Sequence, residues 1–259
     1  VIKFSTSVNF LFSEKPFLQR FAAARQAGIE GVEVQLMEAP AADIANASRE
    51  AGVEVVLINV DMGDLLQGGP GLSGVPGREQ EFAAAVEQAA ENADITGSSF
   101  VHLGPSKVPD GTNREQCLAT YLSNVEASLK LDIFASGRSV PLLEPMNPVD
   151  MPDALFSDID EAASLLRREF GGAVGLQFDI YHVEKSGKNA VQAWHNHYDQ
   201  IRHVQFSDTP NRQEPGTGEV DFEAIFKTIA ESDYTGWVGA EYFPSRPSEQ
   251  TLGWLSHAK

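Results

Sequence analysis

The sequence predicts an α/β protein, a single (β/α)8 TIM barrel formed by residues 1–259 as one domain. Three observations predict it. Short β-branched runs alternate eight times with longer stretches, several of them clearly amphipathic, the pattern of a parallel sheet with helical crossovers. Runs such as "VEVVLINV" are apolar almost throughout, as strands covered on both faces require. Eight evenly spaced units in 259 residues favour closure over an open, doubly wound sheet.

In chain order the expected strands are Ile2–Val8, Val32–Leu36, Val53–Val60, Phe100–Leu103, Val140–Met146, Val174–Tyr181, Ile201–Phe206 and Trp237–Tyr242. Between them, "PFLQRFAAARQAG", "REQEFAAAVEQAAENAD", "DIDEAASLLRREFGG" and "DFEAIFKTIAESD" read as helices. The first opens on Pro and the second on Arg-Glu, and several close on Gly, which stops a helix. One long insertion, "GDLLQGGPGLSGVPG" at residues 63 to 77, follows the third strand, where active-site loops of a barrel emerge.

Composition narrows the function classes. Lys+Arg 19 against Asp+Glu 37 leaves a net charge of −18, so the surface repels phosphate backbones and anionic membranes. A hydrophobic share of 42% supports a substantial core. Cys117 is the one cysteine; it cannot form an intrachain disulfide, and its helical setting points to a buried structural thiol. With no long apolar run and no leader-like start, a cytoplasmic protein is expected.

In such a barrel the chemistry comes from the C-terminal ends of the strands. Those ends carry Asn59, His102, Glu144, Asp179, Gln205 and Glu241. The last four close strands five to eight at intervals of 35, 26 and 36 residues, about one βα unit each, so their oxygens should converge. Taken singly, a strand-end acid often caps the next helix or pairs with Arg. Together, two carboxylates ~5 Å apart repel by roughly 3 kcal/mol at an effective dielectric of 20, so a cation or shared proton must offset them. Three carboxylates and an amide oxygen suit Mg²⁺ or Mn²⁺ better than zinc, and no HExxH or CxxC motif offers a rival site.

Outside this set, His182 sits three residues past Asp179, placed to donate to a substrate oxygen or to cap the strand end. Arg212 lies in the loop "FSDTPNRQEPGTGEVDF" and is suited either to a substrate carboxylate or to a salt bridge with Glu214 or Glu219. His195 and His197 do not share a helix face, and surface placement is expected for both.

The segments "LLEPMNPVDMP", "LQFDIYH", "HVQFSDTPNRQEPGTGEVDF" and "GWVGAEYFP" together resemble the hydroxypyruvate isomerase family, within the xylose-isomerase-like barrels. The resemblance runs nearly the full chain, and "EPGTGE" is its most specific part. It implies an intramolecular oxidoreductase interconverting hydroxypyruvate and tartronate semialdehyde through an enediolate, with Glu144 and Glu241 as the acid/base pair. It further implies a divalent cation on Glu144, Asp179, Gln205 and Glu241, with no organic cofactor; the substrate site expected from the strand ends and loops comprises His182, Arg212, Asn59 and His102. The implied partner is a small 2-oxo or hydroxy acid; the net charge of −18 argues against nucleic acid and membrane, and a homo-oligomer is compatible with both.

The chain departs from the group twice. Gln205 stands where its epimerases carry His, which leaves metal dependence open. Gly69-Pro70 stands where related isomerases tend to carry Glu-Arg, which leaves the substrate open towards 2-oxo-tetronates, ketoses or sugar acids. Phosphodiester hydrolysis, as in endonuclease IV, would need a His-rich cluster and a basic groove. Six His, few at strand ends, and a charge of −18 weigh against it. A non-catalytic sugar-acid binder is disfavoured because every expected carboxylate is present.

Overall fold

The computed structural model describes residues 1–258. Eight parallel strands close in chain order, with β8 returning to β1. They are β1 (Lys3–Ser7), β2 (Gly31–Val34), β3 (Glu54–Asn59), β4 (Phe100–His102), β5 (Val140–Leu143), β6 (Gly175–Asp179), β7 (Ile201–Phe206) and β8 (Trp237–Ala240). Each overlaps its expected run, and most stop short at the C-terminal end. There the ladder ends while the apolar character continues into the loops.

The helices are α1 (Gln19–Gln26), α2 (Ala41–Ala51), α3 (Glu79–Thr96), α4 (Arg114–Ser128), α5 (Asp132–Ala135), α6 (Ile159–Leu165), α7 (Ile180–Lys185), α8 (Ala190–His197) and α9 (Phe222–Glu231). Side-chain caps start five of them: Asn113, Asp158, Asp179, Asn189 and Asp221 each accept a backbone N–H of the first turn. Asn113 and Gln116 cap reciprocally. The helix expected over residues 158–172 is regular only to Leu165 and widens into a π turn over Leu166–Phe170.

Side chains alternate between the two faces of each strand. Phe4, Val34, Phe178, Val204 and Phe206 face outward into the helix layer, all buried. Near the C-terminus Phe4, Phe206, Phe226 and Trp254 meet edge-on, with Phe4 and Trp254 centred 4.9 Å apart. The inward set is unusually polar. Barrels commonly fill their axis with bulky aliphatic layers, but here Ser5, Ser7, Glu33, Gln35, Gln177, Asp179, His203 and Gln205 are all buried. Glu33 on β2 bonds to His203 and Gln205 on β7, which is not its neighbour, so the contact crosses the barrel axis.

The Gly-rich insertion is pinned. Asp64 accepts from Gly71 N at 3.1 Å and from Arg78 at 2.8 Å. A Cβ on Gly69 would lie 2.2 Å from the Asp64 carboxyl carbon, so only glycine lets the loop fold back over that anchor. Cys117 is buried and free, as its helical setting predicts. The two α8 histidines divide: His195 is exposed, but His197 is buried with Nε2 2.5 Å from Asp160. The expected surface position is wrong for His197 because α8 packs that face against α6. Among the described residues, no helix is long and apolar enough to cross a membrane.

Candidate active site

The strand ends bring the acids together. Pro145, with no N–H to give a ladder, follows Glu144 just beyond β5. Asp179 ends β6, and Glu241 lies one residue past β8. Exposures of 8% for Glu144, 2% for Asp179 and 7% for Glu241 describe a compact mouth. His182 Nε2 stands 3.6 Å from Asp179 Oδ2 and 3.9 Å from Glu144 Oε1, while His102 Nε2 is 3.4 Å from Glu144 Oε2. Asp179 fulfils two of the roles weighed for it: Oδ1 caps α7 through Tyr181 N at 2.9 Å, and Oδ2 faces the site.

Arg212 supplies the cation. Its fork lies 3.0 Å from Glu241 Oε2 and 3.7 Å from Asp179 Oδ2. The alternative partner Glu214 is instead bonded to Ser245 and close to Arg246. Arg212 has a left-handed backbone, φ 55°, an uncommon conformation for a side-chain-bearing residue. Asp208 steadies its loop by accepting from the N–H groups of Gly216, Gly218 and Val220. The guanidinium also lies over the Tyr181 ring, 5.2 Å from its centroid.

Crowding of buried acids raises their proton affinity. Burial, then the charges of Asp179 and Glu241, holds the Glu144 carboxyl well above the ordinary carboxylate range. Burial lifts Glu241 to about 7 and Asp179 to about 6, in each case against the pull of Arg212. Burial opposes the charge on Arg212, but Glu241, Asp179 and Glu144 hold it protonated. Burial and the nearby His203 push His102 down to about 3; burial, then Arg212, keeps His182 neutral as well.

A chain with this barrel and these strand-end acids can be placed by comparison. The model of the xylose isomerase-like TIM barrel family matches residues 21–257. The chain belongs to that family. Hydroxypyruvate isomerase of Escherichia coli (strain K12) is 33% identical over 260 residues, covering 98% of both chains. 2-oxo-tetronate isomerase of Cupriavidus necator is 31% identical over 254 residues, covering 98% of this chain and 97% of its own. Among solved structures, a Brucella melitensis protein described as AP endonuclease, family 2, superposes with a TM-score of 0.92 at 30% identity, covering 99% and 98%.

For a xylose isomerase-like barrel, fit to a divalent cation turns on free buried oxygens. Glu144 Oε1 and Asp179 Oδ2 are buried without a hydrogen-bond partner, and ligand atoms of Glu144, Asp179 and His182 lie within 4.8 Å of one another. Hard carboxylate oxygens of this kind fit such an ion. Gln205 is placed differently from the other three. Its Nε2 donates to Glu33 Oε2 at 2.7 Å and its Oε1 accepts from Gln177 at 2.5 Å, leaving one oxygen lone pair. Asn59 ends β3 in register with His102, its Oδ1 buried and unpartnered.

Two residues of this family member escaped the sequence reading. Glu33 accepts from Ser5 Oγ at 2.6 Å, Gln205 at 2.7 Å, Gln35 at 3.3 Å and His203 at 3.0 Å. A glutamate between two valines in "GVEVQL", inside an otherwise apolar strand, is the signal that could have found it. The other is Asn147, whose side chain bonds His182 from within the β5 loop.

Proposed function

We propose that the protein interconverts hydroxypyruvate and tartronate semialdehyde by proton transfer, Glu241 taking a proton from C3 and Glu144 giving one to C2 while the hydroxyl proton on the C3 oxygen passes to the C2 oxygen. The observation that carries this is the buried trio Glu144, Asp179 and Glu241, gathered around Arg212 in a mouth where each acid is less than a tenth exposed. A three-carbon acid suits so closed a mouth. Isomerisation of a 2-oxo-tetronate on the same residues is the second reading, favoured by the similarity to the Cupriavidus enzyme.

The roles follow from the charges. Arg212 supports the ionised form of Glu241, which makes it the base that takes the C3 proton of hydroxypyruvate. Glu144, whose carboxyl is held well above the ordinary range by burial and by the charges of Asp179 and Glu241, is the acid that returns a proton to C2. Arg212 also offers its fork to the substrate carboxylate, and His102, His182 and Asn59 face the substrate's oxygens. Glu144, Asp179 and Glu241, with the remaining lone pair of Gln205, would hold a divalent cation, Mg²⁺ or Mn²⁺. When bound, it supplies Lewis-acid stabilisation of the enediolate charge. A cytoplasmic location goes with this reading.

Incubation with hydroxypyruvate in D₂O, with and without chelator, tests it. Deuterium should appear at C3 of the substrate pool or at the new C2 centre, and loss of exchange under chelation would assign the cation. No isomerisation and no exchange with the metal-supplemented protein would overturn the proposal.

A further inference from the structure

The ring of His182 is held from behind. Asn147 is fully buried, and two of its groups face the same ring nitrogen: its backbone N–H lies 3.0 Å from His182 Nδ1 and its side-chain Nδ2 lies 2.8 Å from it. The orientation of that amide is fixed independently. Asn147 Oδ1 accepts from Val149 N at 3.1 Å and Asp150 N at 2.8 Å, so the amide nitrogen must face the ring. The same nitrogen donates to Asp150 Oδ2 at 2.9 Å, and Asp150 is itself held by the Tyr181 hydroxyl at 2.7 Å and Lys185 Nζ at 2.9 Å.

Both groups facing Nδ1 are donors, and neither can accept a proton from it. In a neutral imidazole one nitrogen donates and the other accepts. Nδ1 is therefore the acceptor and Nε2 carries the proton. That N–H points into the mouth, towards Glu144 Oε1 and Asp179 Oδ2, the two buried oxygens with no partner of their own. A metal ligand needs a free lone pair, so this proton removes His182 from the ligand set that its distances alone would allow.

We propose that Asn147 is a positioning residue: it keeps the His182 proton on Nε2, presented to the substrate oxygen that becomes negative in the enediolate. The inference rests on the isomerase reading for its catalytic part; the proton's location does not depend on it. A hydroxyl or enediolate oxygen can accept from Nε2–H, and a hydroxyl there can donate its one proton to Glu144 Oε1 or Asp179 Oδ2.

The test is a long-range ¹H–¹⁵N spectrum of the full chain labelled at histidine, with His182→Gln identifying the relevant signals. Wild type should show the Nε2–H form. Asn147→Asp keeps the acceptor for Val149 and Asp150 but turns an acceptor towards Nδ1; it should move the proton to Nδ1. Loss of one aimed donor should then lower kcat about 10²-fold, with KM little changed. Asn147→Ala leaves the backbone N–H alone to hold the ring, and a mixed population with roughly a tenfold loss is expected.

A wild-type Nδ1–H form overturns the inference, as does full turnover in a variant whose proton has moved. Should Asn147→Asp not fold, an unchanged spectrum and unchanged kcat in Asn147→Ala overturn it equally. A merely structural asparagine would lower the melting temperature and leave the proton where it was. If wild type shows Nε2–H yet leaves hydroxypyruvate untouched, only the substrate reading falls.

Discussion

Glu241→Gln is expected to lower kcat on hydroxypyruvate by about 10²–10⁴-fold while the barrel stays folded, the range that a positioned general base contributes. Glutamine keeps the shape of the side chain and can still accept from Arg212, which approaches to 3.0 Å, but it cannot take the C3 proton. Glu144→Gln should lose a similar factor for the complementary reason, since an amide does not deliver a proton to carbon. The pH profile separates the roles. A base must be ionised, and burial places the Glu241 carboxyl at about 7, so the wild-type rate should rise as pH increases through that value. Burial and the neighbouring Asp179 and Glu241 hold the Glu144 carboxyl well above the ordinary carboxylate range, so its replacement by an amide also relieves repulsion among the acids, and the melting temperature should not fall. Steady-state kinetics with circular dichroism read both quantities. Near wild-type turnover in both variants would remove these residues from the chemistry.

Gly239→Ala should cost about 3 kcal/mol of stability or more, as overpacking that also breaks a buried polar network. A Cβ at that position would lie 1.7 Å from Glu33 Oε1 and 3.0 Å from Oε2. Glu33 is fully buried and cannot retreat without releasing Ser5, His203 and Gln205 from their bonds. Each would then be a buried polar group in need of a partner. For a chain of this length the melting temperature should fall by on the order of 10 °C. Chemical denaturation gives the free energy directly, and a loss below about 1 kcal/mol would mean that Glu33 has room to move.

The strand-end acids were legible because a barrel converts strand order into spatial order. Once eight strands were read, Glu144, Asp179 and Glu241 had to share one rim. Glu33 was hidden by the same logic. In isolation, "VEV" reads as a strand with one solvated face, and only closure makes that face an interior. Arg212 was read as a cation near the acidic mouth, with a salt bridge to its sequence neighbours Glu214 or Glu219 as the alternative; its actual ion-pair partner Glu241 was not legible, because a loop's path decides what an arginine reaches. The left-handed turn at Arg212 aims it at β8 instead. Asn147 was unreadable for a similar reason, since its meaning lies in a ring 35 residues further on.

Arg212 is, among the described residues, the one basic side chain bonded to Glu241, and it is also the group offered to the substrate carboxylate. The two uses compete. As the substrate claims the guanidinium, Glu241 loses part of the charge that keeps it ionised, and its affinity for a proton rises. Arrival of the substrate thus strengthens the base that will act on it. By linkage the converse holds, and the enzyme with Glu241 protonated binds the substrate more tightly. The signature would be an acidic limb of kcat displaced to higher pH than that of kcat/KM, and coincident limbs would show that Arg212 does not divide its charge in this way.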